Sequence, residues 1–68
     1  MSDRLLRRPE VERELGLKRS AIYEMMQLPP EDPRHLPRPK RIGRRAVAWP
    51  ASWIEAWKDR QPTAERHA

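Results

Sequence analysis

Residues 10–26 read E-V-E-R-E-L-G-L-K-R-S-A-I-Y-E-M-M, and this stretch decides the fold. Val11 and Leu15 stand at i, i+4 and give a first helix one apolar stripe. Pro9 and Glu10 suit its first turn, because proline needs no amide partner there and a carboxylate favours the positive end of the helix dipole. Gly16 ends it, as a residue able to take positive φ after the last turn, and Leu17 then packs inward. Ile22, Met25 and Met26, at i, i+3, i+4, predict the buried face of a second helix from Arg19 to Gln27. So short a join predicts two helices crossing at a steep angle.

C-terminal to this pair, Pro29, Pro30, Pro33, Pro37 and Pro39 exclude helix over 28–39 and predict a stiff, extended connector. Lys40–Ile42 and Ala46–Trp49 then read as short strands around Gly43, Arg44 and Arg45, with Val47 and Trp49 on one strand face. Pro50 opens a last helix that runs to Arg60, with Ile54 and Trp57 as its core pair. Trp57 is expected beneath the hairpin, with Trp49 and Ile42 or Val47 as neighbours. Trp53 either covers the hairpin or meets a neighbouring protomer. N-terminal to the pair, residues 1–6 read as a short arm whose Leu5 and Leu6 pack on the core. The expectation is one domain over 1–60, mainly α with a two-stranded antiparallel hairpin, and a flexible tail over 61–68.

Composition narrows the class. A chain of 68 residues makes one small domain. A chain this short buries only about 60% of its unfolded surface, so each large apolar residue matters. There is no cysteine, hence neither a disulfide framework nor a thiolate metal site. No apolar run approaches the roughly 20 residues that cross a membrane, and the N-terminus lacks the apolar core of a signal peptide. These features lead to an expectation of a cytoplasmic protein. His35 and His67 lack nearby partners for a metal, and Asp3, Glu10 and Glu24 form no acid–base pair. Neither cofactor, metal nor catalysis is expected.

The net charge is +5, and its distribution says more than its size. Glu10, Glu12, Glu14 and Glu24 interleave with bases in the first half. Between Pro33 and Ile54 there is no acid at all. Within that span Arg34, Arg38, Lys40, Arg41, Arg44 and Arg45 make a one-signed field, for which a polyanion is the natural partner. Lys18 and Arg19 open the second helix, where the dipole disfavours cations, and an ordinary solvated helix would avoid that arrangement.

The ordered set R-L-L-R at 4–7, P-E-V at 9–11, G-L-K-R-S-A-I-Y at 16–23, P-R-P at 37–39, I-G at 42–43, A-V-A-W at 46–49 and E-A-W at 55–57 resembles the AlpA-type phage and prophage regulators. These belong to the MerR-like winged helix-turn-helix superfamily, which also holds phage excisionases. The resemblance implies a small cytoplasmic, nucleoid-associated protein that binds double-stranded DNA. Its second helix would enter the major groove, and its hairpin, the wing, would lie on the backbone or in the adjacent minor groove. Carried over by position, Lys18, Arg19, Ser20 and Tyr23 would face the groove, with Arg44 and Arg45 at the wing tip and Arg38, Lys40 and Arg41 beside them. Two features depart from the family pattern. L-P-P-E-D-P-R-H, at 28–35, reads as a short insertion before P-R-P. Lys18 stands where the family often has Ser or Thr as an N-cap, and lysine accepts no bond from the free amides there.

Two jobs share this scaffold: transcription control near a promoter, and excision control by bending DNA beside an integrase. Neighbouring protomers on DNA and an integrase are therefore candidate partners. RNA binding through the basic hairpin is an alternative, disfavoured because no aromatics interleave with the cations for base stacking. A protein-interaction module using Trp53 and the proline-rich connector is another.

Overall fold

The computed structural model describes residues 3–64 and contains three helices and a three-stranded antiparallel sheet. In chain order these are β1 (Leu5–Leu6), α1 (Arg8–Leu15), α2 (Arg19–Met26), β2 (Lys40–Arg41), β3 (Val47–Pro50) and α3 (Ala51–Arg60). The sheet order is β1-β3-β2.

The helix pair forms where the apolar spacing places it. At the start of α1 the Arg7 amide donates to Glu10 Oε1 at 2.9 Å, so the carboxylate meets a donor the helix leaves free. Gly16 ends α1 at φ 67°, and the Leu17 amide reaches back to the Glu12 carbonyl at 3.1 Å. Lys18 is the N-cap of α2 in extended conformation, and no side chain caps that terminus.

The N-terminal arm is more than an arm. Leu6 pairs with Trp49 and Leu5 with Pro50, which adds a third strand to the expected two. Leu6 is buried, but Leu5 stays largely exposed. The arm also completes the start of α3. The Ala51 amide donates to the Arg4 carbonyl at 2.7 Å, and the Ser52 amide donates to Asp3 Oδ1 at 3.0 Å. The Asp3 carboxylate thus acts as a remote N-cap where Pro50 offers none. Its pKa lies below the usual aspartate value, first because of the bond from the Ser52 hydroxyl.

The core comprises Leu6, Val11, Ile22, Met25, Leu36, Trp49, Ile54 and Trp57, flanked by half-buried Leu15, Leu17, Met26, Leu28, Ala51 and Trp53. Leu36 is fully buried and comes from the connector. That segment is not the stiff extended spacer its prolines predict. The Asp32 amide bonds the Pro29 carbonyl at 2.9 Å, and the His35 amide bonds the Asp32 carbonyl at 2.9 Å. These bonds close successive turns. The Leu36 amide then donates to Met25 O at 3.1 Å, which satisfies a carbonyl at the open end of α2. Prolines exclude helix, but they permit turns, and buried carbonyls need donors.

Both buried tryptophans supply such donors. Trp49 Nε1 donates to Pro37 O at 2.8 Å, and Trp57 Nε1 donates to Arg34 O at 3.1 Å. Trp57 is therefore tied to the connector. Ile42 and Val47, expected beside it, are both more than a third exposed. They lie where the hairpin extends past the end of the core. Gln61 is anchored too: its Nε2 donates to Pro33 O at 2.7 Å and to Trp57 O at 2.9 Å. Ordered packing thus reaches one residue into the expected tail; residues 65–68, His67 included, lie outside the described residues.

Candidate nucleic-acid interface

The nine residues singled out from the sequence fall in two places, and all nine are exposed. Lys18, Arg19, Ser20 and Tyr23 lie on the N-cap and first turns of α2. Their exposure follows from the helical repeat, because Ile22 and Met25 turn the opposite face inward. Arg38 lies at the end of the connector, Lys40 and Arg41 on β2, and Arg44 and Arg45 at the hairpin tip.

The hairpin has a simple build. Lys40 opposes Ala48, and Arg41 opposes Val47. The Ile42 and Gly43 amides both donate to Ala46 O, at 2.9 and 3.2 Å, and close the tip over residues 43–45. Successive side chains on a strand point to opposite faces, so Lys40 and Arg41 charge both faces of the hairpin. Arg44 and Arg45 charge its end.

The electrostatics separate these cations from the others only in part, for Arg7, Arg13 and Arg60 also pair with no acid among the described residues. Arg4, Arg8, Arg34 and Lys58 form ion pairs with Glu10, Glu12, Asp32 and the pair Glu14 and Glu55. Lys58 holds the Glu14 carboxyl below its usual pKa, chiefly through their hydrogen bond. Among the described residues, Lys18, Arg19, Arg38, Lys40, Arg41, Arg44 and Arg45 pair with no acid. Lys40 instead holds its ammonium 5.3 Å from the centroid of the Trp53 ring, and Arg19 holds its guanidinium 5.6 Å from that of Tyr23. Trp53 is half-buried and packs on the core, the covering role the sequence left open beside an intermolecular one. Arg8 also reaches Tyr23, with Nη1 at 3.5 Å from the phenolic oxygen. Sequence spacing does not single out Arg8, whose Glu12 partner at i+4 reads as an ordinary helix pair.

No group of three or more His, Asp or Glu among the described residues is placed to hold a metal ion. No described helix is long and apolar enough to cross a membrane.

The class is thus a small basic domain of three helices and a three-stranded sheet, with most of its described unpaired cations on one helix start and along one hairpin. The chain belongs to the phage AlpA family: residues 4–62 match the family model described as prophage CP4-57 regulatory protein (AlpA). It is a family of regulators rather than of enzymes. No curated protein and no solved structure matches the chain.

Proposed function

We propose that this protein is a prophage or mobile-element regulator that binds double-stranded DNA as a winged helix-turn-helix. In this reading residues 1–60 act as one domain, to which Gln61 is tied, and the residues after it act as a tail. The protein works in the cytoplasm, on the nucleoid. Helix α2 enters the major groove and presents Arg19, Ser20 and Tyr23, while Lys18 and the uncapped amides of α2 meet a backbone phosphate. The β2–β3 hairpin is the wing. Arg44 and Arg45 at its tip, with Arg38, Lys40 and Arg41 behind them, lie along the backbone or in the adjacent minor groove.

The observation that carries this reading is the division of cations. Among the described residues acids occupy Arg4, Arg8, Arg34 and Lys58, and none occupies the cations of the α2 start or the hairpin stretch, where most of the unpaired cations lie; Arg7, Arg13 and Arg60 are the others. A solvated surface kept soluble by mixed charge has no reason to leave one contiguous segment without acids. A phosphate-binding surface does, because each unpaired cation exchanges only water and counterions when it meets DNA.

The test is a duplex titration over a range of salt. With about four to six phosphates met per protomer, log K against log salt should have a slope of roughly −4 to −5. A slope near zero removes the reading. Single-stranded RNA of matched length, binding as tightly as the duplex, would move the function to RNA.

A further inference from the structure

Tyr23 is held from two sides. Arg8, on α1, sends Nη1 to within 3.5 Å of its phenolic oxygen, and Arg19, one turn earlier on α2, lies 5.6 Å from its ring centroid. Arg8 is itself fixed, with Nε donating to Glu12 Oε2 at 3.1 Å. The Glu12 bond, then the Tyr23 bond, strengthens the hold of Arg8 on its proton. A guanidinium has no acceptor, so the phenolic oxygen must accept from Arg8. The hydroxyl proton is then free to point away from Arg8, on a residue that is 41% exposed.

We propose that Arg8 is a positioning residue for DNA binding, which holds Tyr23 so that its hydroxyl donates to a backbone phosphate oxygen and its ring supports Arg19. One guanidinium at the hydroxyl and a second over the ring leave the tyrosine suited to an anionic oxygen rather than to a further donor. Accepting from Arg8 polarises the O–H and strengthens the bond it donates. Glu12 keeps Arg8 in place. This inference rests on the reading that α2 faces duplex DNA.

The experiment uses the full chain and two probes: a duplex that the wild-type chain selects from a randomised pool, and a duplex of random sequence. Arg8→Met and Tyr23→Phe should each weaken the selected duplex by roughly five- to tenfold, the worth of one hydrogen bond. The double variant should be little worse than either, because both remove the same arrangement. The salt slope should stay unchanged in Arg8→Met. Arg8→Lys should not restore binding, since an ammonium lacks the fork that spans Glu12 and Tyr23. Without DNA, the Tyr23 ring resonances should move in Arg8→Met while the melting temperature holds.

Additive losses, with a salt slope smaller by about 0.9, would overturn the proposal and make Arg8 an independent phosphate contact. Unchanged binding in Arg8→Met would overturn it as well. A wild-type chain that selects no duplex overturns the DNA reading and this inference with it, whereas the additive result overturns this inference alone.

Discussion

The connector, residues 28–39, and the hairpin tip, residues 42–46, look alike in sequence. Each interrupts regular structure, and each belongs to or borders the basic run. Their bonding differs completely. Connector carbonyls at Pro33, Arg34, His35 and Pro37 accept from Gln61, Trp57, Arg60 and Trp49. Among the described residues the tip makes only the two bonds that close it on Ala46. Arg34, in the connector, pairs with Asp32, whereas Arg44 and Arg45, at the tip, pair with nothing among the described residues. A basic residue is thus structural or available according to what its neighbours bind. The connector holds the third helix to the core; the tip is left to meet a ligand.

The sharpest way to break this contrast is Trp57→Ala. It removes a buried ring and leaves the Arg34 carbonyl without its donor. The expected cost is about 3–5 kcal/mol, and a single core this small supplies roughly the same amount. Circular dichroism and DNA binding should be lost together on melting. Trp57→Phe keeps a six-membered ring but loses the N–H and part of the buried volume, so its cost should be smaller, about 1–3 kcal/mol. If Trp57→Ala melts like the wild type, the connector is not what anchors α3.

Substitutions on the available side should leave the melt alone and change binding. Arg19→Ala should cost the selected site about 1–3 kcal/mol more than a random duplex if its guanidinium grips a guanine. Arg44→Ala and Arg45→Ala should weaken both duplexes alike and each reduce the salt slope by about 0.9, because phosphate contacts carry no sequence information. Equal losses for Arg19→Ala on both duplexes would assign it to the backbone. A lower melting temperature in either tip variant would mean that the tip is structural after all.

The two regions also differ in how legible they were. The helix pair, the Gly16 stop and the hairpin follow from local spacing and from a glycine with one conformational use, and each formed where the sequence put it. The role of Trp57 as core was equally plain, but its partner was not. Val47 has strand periodicity with Trp49, yet it and Ile42 both stay exposed, at the end of the hairpin nearer its tip. The burial of Leu36 and the capping of α3 by Asp3 depend on residues far apart in sequence, which no local pattern encodes. Prolines misled most. They report what the backbone is not, and the bonds that shape 29–36 come from amides and carbonyls common to every residue. For the site, charge runs marked the exposed cations, while the link from Arg8 to Tyr23 crosses two helices and appears only when they pack.

The smallest effect separates the two regions by pH. Asp32 is the acid of the connector that shapes a turn, accepting the Arg34 amide at 2.9 Å and lying 3.5 Å from the Arg34 guanidinium. That amide bond, more than the ion pair, holds its carboxyl below the usual aspartate pKa, against a partial loss of hydration. A depressed pKa in the folded state means stability that is present above the unfolded value and is lost as pH falls through the folded one. The melting temperature of the wild type should therefore exceed that of Asp32→Ala at neutral pH, and the gap should close on acidification below the ordinary aspartate range. Asp3 and Glu14 titrate in the same direction in both proteins, so the difference between the two melts isolates Asp32. Asp32→Asn retains an acceptor for the amide and should recover part of the gap without its pH dependence. The tip carries no acid, so Arg44→Ala and Arg45→Ala should leave the melt unchanged at every pH. A gap for Asp32→Ala that persists unchanged into acid would show that its carboxylate charge contributes nothing to holding the connector.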